Sequence, residues 1–346
     1  MKYKITLGLL ILLLISSCVL AQKPKIITHI KPLSMRVFKP TEEDISDRRF
    51  YQSREETIKM LIKFPEGYNP EFWDYDLSTD THKGFSIAKM NQKGKYFPTT
   101  GFKGATFDII GKGVNQNRYQ CKLESGTWVT LSSSGSDEVG AGCRITFNTQ
   151  NKPNTPATIK ILDTKTNEIE TYVINIPKKW AIMPNEMLQY NIDRDMMGAF
   201  FPALDYCKSV NTGDDTVKTT WQQGAGQNVE DSAWRQQYLY KMNELTNAPN
   251  ANDPAEYPKY FSPGMYEGYF SRDIDTTFMG EWGSLYEYEN SGWDVGDGYW
   301  TAESMNDIDD HGLSQFYIEG DGSASAGWDG GASPAYRLFT VPCRGE

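Results

Sequence analysis

The chain has 346 residues, 39% of them hydrophobic and 23% charged, with a formal net charge of −10. This is ordinary globular composition at two- or three-domain length, with enough apolar residues for real cores. The charge is split: residues 22–180 hold 24 basic and 18 acidic side chains, net +6, and residues 181–346 hold 9 and 27, net −18. An acidic half of that size excludes charge-driven binding to nucleic acid or anionic lipid.

Residues 1–21 read as an export signal. Lys2 and Lys4 make a positive start, and GLLILLLI (8–15) is an apolar core too short to span a membrane in the mature protein. Ala21, ahead of Gln22, closes a well-formed peptidase site. ISSC (15–18) offers a second reading, a lipoprotein box with Cys18 as the lipidated residue. Either route predicts a cell-surface or outer-membrane-associated protein without a transmembrane segment. In that oxidising setting Cys121, Cys143, Cys207 and Cys343 read as disulfides rather than metal ligands. Four cysteines allow three pairings. Proximity favours Cys121–Cys143, which leaves Cys207–Cys343; four reduced, buried thiols are the alternative.

Residues 22–100 form a β-rich region, a leader followed by room for a first sandwich. The Lys- and Pro-rich leader (22–45) pairs as an edge strand or stays mobile. Arg48 and Arg49 in DRRF are a protease-site candidate as well as a plain surface pair. Strand candidates follow at TIKMLIKF (57–64), FSIAKM (85–90) and KYFPTTGF (95–102), and 66–84 reads as loop.

Residues 101–180 give the clearest β pattern. ATFDIIGKG, RYQCKLE, TWVTLSS, CRITFN, ATIKILD and ETYVINI are short β-branched runs punctuated by turn residues at sandwich-like spacing. Thr158, Lys160 and Leu162 alternate with Ile159, Ile161 and Asp163, as a half-buried strand requires. The order GTWVTLSSSG, a Gly-rich turn, then RITFNTQNKPNTPATIKILD resembles the BACON and related Ig-like modules of Bacteroidetes surface proteins. The resemblance implies an Ig-like β-sandwich.

Residues 181–346 hold 26 of the chain's 45 aromatics. Helical spacing around Phe200, Leu204 and Cys207 predicts a helix within 191–209, and DSAWRQQYLYKMNELTNA (231–248) a second, capped by Asp231 or Ser232. A short helix falls in 274–289, and GYWTAES, LSQFYIEGD and YRLFTVPC read as closing strands. Together ALDYCKS, AWRQQYLYKMNEL, GYWTAES and RLFTVPCR resemble the FISUMP domain and related C-type-lectin-like modules of Bacteroidetes surface and fimbria-associated proteins. The resemblance implies an α+β C-type-lectin-like domain over 181–346 behind the all-β, Ig-like N-terminal region. It also implies adhesion to a glycan or to a host or neighbouring surface protein, within a fimbrial or surface assembly.

Catalytic signals are sparse. There are three histidines, no zinc spacing, no phosphate loop and no nucleophile elbow. Glu281, Glu287, Glu289, Glu303, Asp294 and Asp297 could supply a glycosidase pair, but an acidic segment offers such pairs by chance. Hard oxygen donors gather in DVGDG (294–298) and NDIDD (306–310), where Asp307, Asp309 and Asp310 would be calcium ligands; solvated acidic loops are the other account. Trp293 and Trp328 sit beside Asp and Gly and read equally as buried rings or as sugar-stacking candidates with Asp294 and Asp297 as polar partners, whereas Trp300 in GYWTAES reads as core. The expected protein is therefore a non-catalytic, exported adhesin without a required cofactor. A structural surface subunit that lends its N-terminal strand to a neighbour and a polysaccharide-acting enzyme are the rivals.

Overall fold

In the computed structural model the described residues are 26–34, 73–76, 81–112, 118–132, 141–184, 200–216, 235–247, 272–293, 298–306, 313–319, 324–327 and 339–345. They are mostly β-sheet with few helices. The export signal with Cys18, the Arg48–Arg49 pair and the 57–64 strand candidate lie outside them.

Ten strands build the first part: β1 (Ile27–Pro32), β2 (Trp73–Asp76), β3 (Thr81–Ser86), β4 (Thr100–Phe102), β5 (Thr106–Gly111), β6 (Tyr119–Ser125), β7 (Val129–Ser132), β8 (Ala141–Phe147), β9 (Ala157–Asp163) and β10 (Glu168–Ile174). One sheet runs β2-β3-β1-β5-β8-β7 and a second runs β10-β9-β6. All six runs predicted over 105–174 form strands. In β9, Ala157, Ile159 and Ile161 are buried, while Lys160 faces out. The inward side chains of both sheets, among them Ile30, Phe107, Ile145 and Ile159, meet in one core. Cys121 on β6 is bonded to Cys143 on β8, with Cα atoms 6.1 Å apart, and so links the two sheets.

Three local expectations fail for physical reasons. β1 is a central strand between β3 and β5, because Ile27 and Ile30 are both buried and need a covered position on both edges. FSIAKM divides after Ser86: Ile87–Lys93 is a helix, α1, which buries Ile87 and Met90 at three-residue spacing and ends on left-handed Gly94. The stretch read as loop, 66–84, contains β2 and the start of β3, a hairpin whose turn residues masked its strand character.

The second part holds α2 (Phe200–Thr212), α3 (Met242–Leu245), α4 (Phe278–Trp282) and a 3-10 turn at Leu285–Glu287. Within the described part of 231–248, helix occurs at Arg235 and over α3, with a turn and an extended stretch between them. Leu239 bridges Cys343 and the Tyr240 carbonyl accepts from the Ala302 amide, which holds that stretch extended. A four-stranded sheet follows the order β14-β13-β12-β15, from β12 (Gly298–Asn306), β13 (Leu313–Glu319), β14 (Ala324–Gly327) and β15 (Phe339–Thr340).

The two parts meet in a small sheet. β11 (Lys179–Ile182) runs parallel to β4 on one side and antiparallel to β16 (Cys343–Gly345) on the other. The boundary expected at 180/181 therefore falls within a strand. Gly101 on β4 permits this approach, since a Cβ there would lie 2.6 Å from the Trp180 ring. Cys343 on β16 is bonded to Cys207 on α2, Cα atoms 5.0 Å apart and 136 residues apart in sequence. Replacing Cys207 and Cys343 together by alanine is expected to lower unfolding free energy by about 4–5 kcal/mol, the loop-closure value for a link of that span. Urea denaturation followed by circular dichroism measures it, and an unchanged midpoint would refute the stabilising role.

Candidate functional site

Of the residues with predicted functional roles, Trp293 is fully buried. Its ring contacts Phe102, Phe278 and Tyr299 at centroid distances of 5.6, 5.9 and 4.8 Å. This corrects its reading as a sugar platform: the indole faces are covered by other rings and no stacking surface is left. Trp300 is buried on β12, as its motif suggested. Trp328, Asp294, Asp297, Asp307, Asp309 and Asp310 lie outside the described residues. Among the described residues no cluster of His, Cys, Asp or Glu could hold a metal ion.

Two of the glycosidase candidates, Glu281 and Glu303, are engaged elsewhere. Glu281, on α4, is completely buried. Five donors converge on its carboxylate: the Thr99 amide at 3.0 Å and hydroxyl at 2.6 Å, the Thr100 amide at 2.7 Å and hydroxyl at 2.6 Å, and the Asp275 amide at 3.0 Å. Next to it Trp282 donates from Nε1 to the Thr100 hydroxyl at 3.0 Å and packs on Phe97, Phe102 and Phe147. Arg272 donates to the Glu281 main-chain carbonyl at 2.8 Å. Gly283, at φ +80°, allows Ser34 Oγ close enough to accept from the Ser284 amide at 2.9 Å. Glu303, buried on β12, accepts from the Met242 amide at 3.2 Å and so seats α3. Carboxylates saturated by main-chain donors hold segments together; they are not placed to move protons for a substrate.

A second polar cluster clamps the closing strand. Arg344 donates from Nε to the Leu239 carbonyl at 2.9 Å, pairs with Glu244, and lies 4.5 Å from the Tyr240 ring centre. Lys179 on β11 lies 3.6 Å from Glu244, and the Tyr240 hydroxyl donates to the Trp180 carbonyl at 2.8 Å. The sequence reading gave Arg344 and Glu244 no role. Their one signal was membership of RLFTVPCR and NEL, the fragments that carried the family resemblance.

The four-stranded sheet borders the segments that hold the remaining candidates. Asn306 pairs with Leu313, and Gly327 with Gln315, so β12 and β14 both finish at the same end of the sheet. The segments that follow are 307–312, with Asp307, Asp309 and Asp310, and 328–338, which begins with Trp328. Segment 294–297 enters β12 at Gly298, the opposite end.

The fold of the first part is that of an Ig-like β-sandwich. Residues 84–174, from within β3 to the end of β10, match the family model described as Invasin, domain 4. The match covers about a quarter of the chain. No curated protein and no solved structure matches the chain significantly. The C-type-lectin-like resemblance of residues 181–346 finds no support in these comparisons. Among the described residues no helix is long and apolar enough to cross a membrane.

Burial raises the Glu281 carboxyl above the usual glutamate range, against the pull of the Thr100 and Thr99 hydrogen bonds. The folded chain then keeps a proton over a window in which the unfolded chain has released it. The stability this group contributes is complete below the ordinary glutamate range and declines as pH rises through the raised value. Unfolding free energy measured against pH is expected to fall across that window more steeply in the wild type than in Glu281→Gln, which cannot ionise there. Parallel curves would show that Glu281 titrates normally. Glu281→Ala strands buried donors and is expected to cost about 3 kcal/mol or more at any pH.

Proposed function

We propose that the chain is an exported, surface-displayed binding protein of the adhesin kind. The Ig-like sandwich serves as its stalk, and residues 181–346 serve as a C-type-lectin-like head that recognises a glycan or a surface protein without catalysis. The observation that carries this reading is the match of residues 84–174 to Invasin, domain 4, a domain type suited to a surface adhesin. The hydrophobic segment at 8–15 and two disulfides agree with life outside the cytoplasm. The link from helix α2 to the last strand suits a recognition module closed at its own two ends.

Within the head, the ligand surface is assigned to the sheet end where β12 and β14 finish, with Trp328 as the stacking residue and Asp307, Asp309 and Asp310 as polar or calcium-holding partners. An aromatic face against a sugar ring, flanked by carboxylates, is a common glycan-binding arrangement. Asp294 and Asp297 belong to a segment that enters at the opposite end and are given no part in that surface. The structural-subunit reading is weaker because β1, the strand it would lend to a neighbour, is already paired on both edges within its own sheet. The enzyme reading is weaker because Glu281 and Glu303 are buried and committed to main-chain amides.

The test is a binding screen with the mature chain on a glycan array and a panel of surface proteins. The whole chain is required because β16 of the head pairs with β11. Trp328→Ala is expected to weaken capture at least tenfold with no change in melting temperature. A blank on both screens, or capture indifferent to Trp328→Ala, would overturn the assigned surface.

A further inference from the structure

The outer edge of the smaller sandwich sheet is built differently from every other long edge among the described strands. Its two edge strands are β6 and β10. β6 carries the usual safeguards against edge pairing: a register shift between Leu123 and Ser125, and the charged pair Lys122 and Glu124 facing out. β10 has no bulge, and its charges, Glu168 and Glu170, are confined to its beginning. It pairs with β9 over seven consecutive residues and has neither lysine nor proline. At alternate positions it presents Ile169, 60% exposed, Thr171, and Val173, 46% exposed. Just past the strand's end Ile176 is exposed as well, while Tyr172 turns inward and donates from its hydroxyl to the Phe97 carbonyl at 2.8 Å. Among the described residues no strand pairs with the far side of β10.

The sequence of this edge is complementary to itself. A two-fold axis through Thr171 sets Ile169 opposite the partner's Val173, Thr171 opposite the partner's Thr171, and Glu170 opposite the partner's Tyr172. Apolar β-branched pairs and a threonine pair are favourable across antiparallel strands, and no like charges oppose one another. Charge selects the direction. β10 has an acidic beginning, Glu168 and Glu170, while Lys178 and Lys179 beyond its end already pair with Asp275 and Glu244. Antiparallel pairing keeps the acidic ends of the two copies apart, whereas parallel pairing would set acid against acid.

We propose that β10 is a self-association edge, and that two copies of this chain join antiparallel through it to form one continuous six-stranded sheet. The union is isologous, so it closes at two and does not propagate. In a surface-bound protein it would present two heads side by side, which raises avidity without any new ligand contact. The inference is independent of what the head binds.

Sedimentation of the mature chain over a wide concentration range is the first test, with a reversible monomer–dimer equilibrium expected. Val173→Lys and Ile169→Lys change only exposed positions, so melting temperature should hold while self-association weakens more than tenfold. Lys122→Glu on the opposite edge should leave the dimer intact. Register is read with single cysteines and a short bis-maleimide cross-linker: Thr171→Cys, on the axis, should join to its own copy, and Val173→Cys should not. A monomer at every concentration overturns the proposal, even if the edge takes up an extended peptide from another protein. A dimer indifferent to both lysine variants, or the reverse cross-linking pattern, overturns it equally.

Discussion

One buried carboxylate sets the relation between the two parts of this protein. Glu281 reaches out of the second part and satisfies main-chain amides at Thr99 and Thr100, where the first part would otherwise leave donors unpaired in an apolar interior. Unpaired donors at such depth are costly, so the two regions cannot separate without a penalty on both sides. Trp282 adds apolar weight at the same point, lying against rings that belong to the sandwich core. The β4-β11-β16 sheet then repeats the union in main-chain hydrogen bonds. The result is an interface with the packing of an interior, in contrast to a flexible linker between independent modules.

Much of the sandwich was legible in the sequence because its strands obey a local rule. The alternation in ATIKILD or ETYVINI needs no knowledge of distant residues, and the inter-sheet position of Cys121 and Cys143 follows once those strands are in place. Failures occurred where the deciding neighbour is remote. ITHIKP looks like an edge strand until β3 and β5 are known to flank it. FSIAKM is too short for its apolar spacing to separate helix from strand, although Gly94 was a readable stop signal.

The candidate site was less legible, for the same reason. An acidic residue beside a tryptophan in GEWGS suggests surface chemistry, yet Glu281 and Trp282 are the most deeply embedded pair at the junction. Their partners lie more than 180 positions earlier, so no spacing in the sequence announces them. Trp293 failed likewise: flanking Gly and Asp describe a loop, but not whether the loop folds its ring inward. Arg344 shows the opposite case. A motif carried it without assigning it a task, and the geometry supplies one, since its guanidinium fastens the last strand to Leu239, Tyr240 and Glu244.

The three-stranded junction also imposes an order of events. β4 and β11 both lie before residue 183 and can pair as soon as residue 182 is available. β16 lies some 160 residues later. During synthesis β11 therefore spends a long interval with one edge open, and Cys207 precedes Cys343 by 136 residues. A chain interrupted in that interval would lack the β16 partner of β11 and the Cys343 partner of Cys207. The junction thus makes the fold of the first part depend on a strand supplied from far along the sequence.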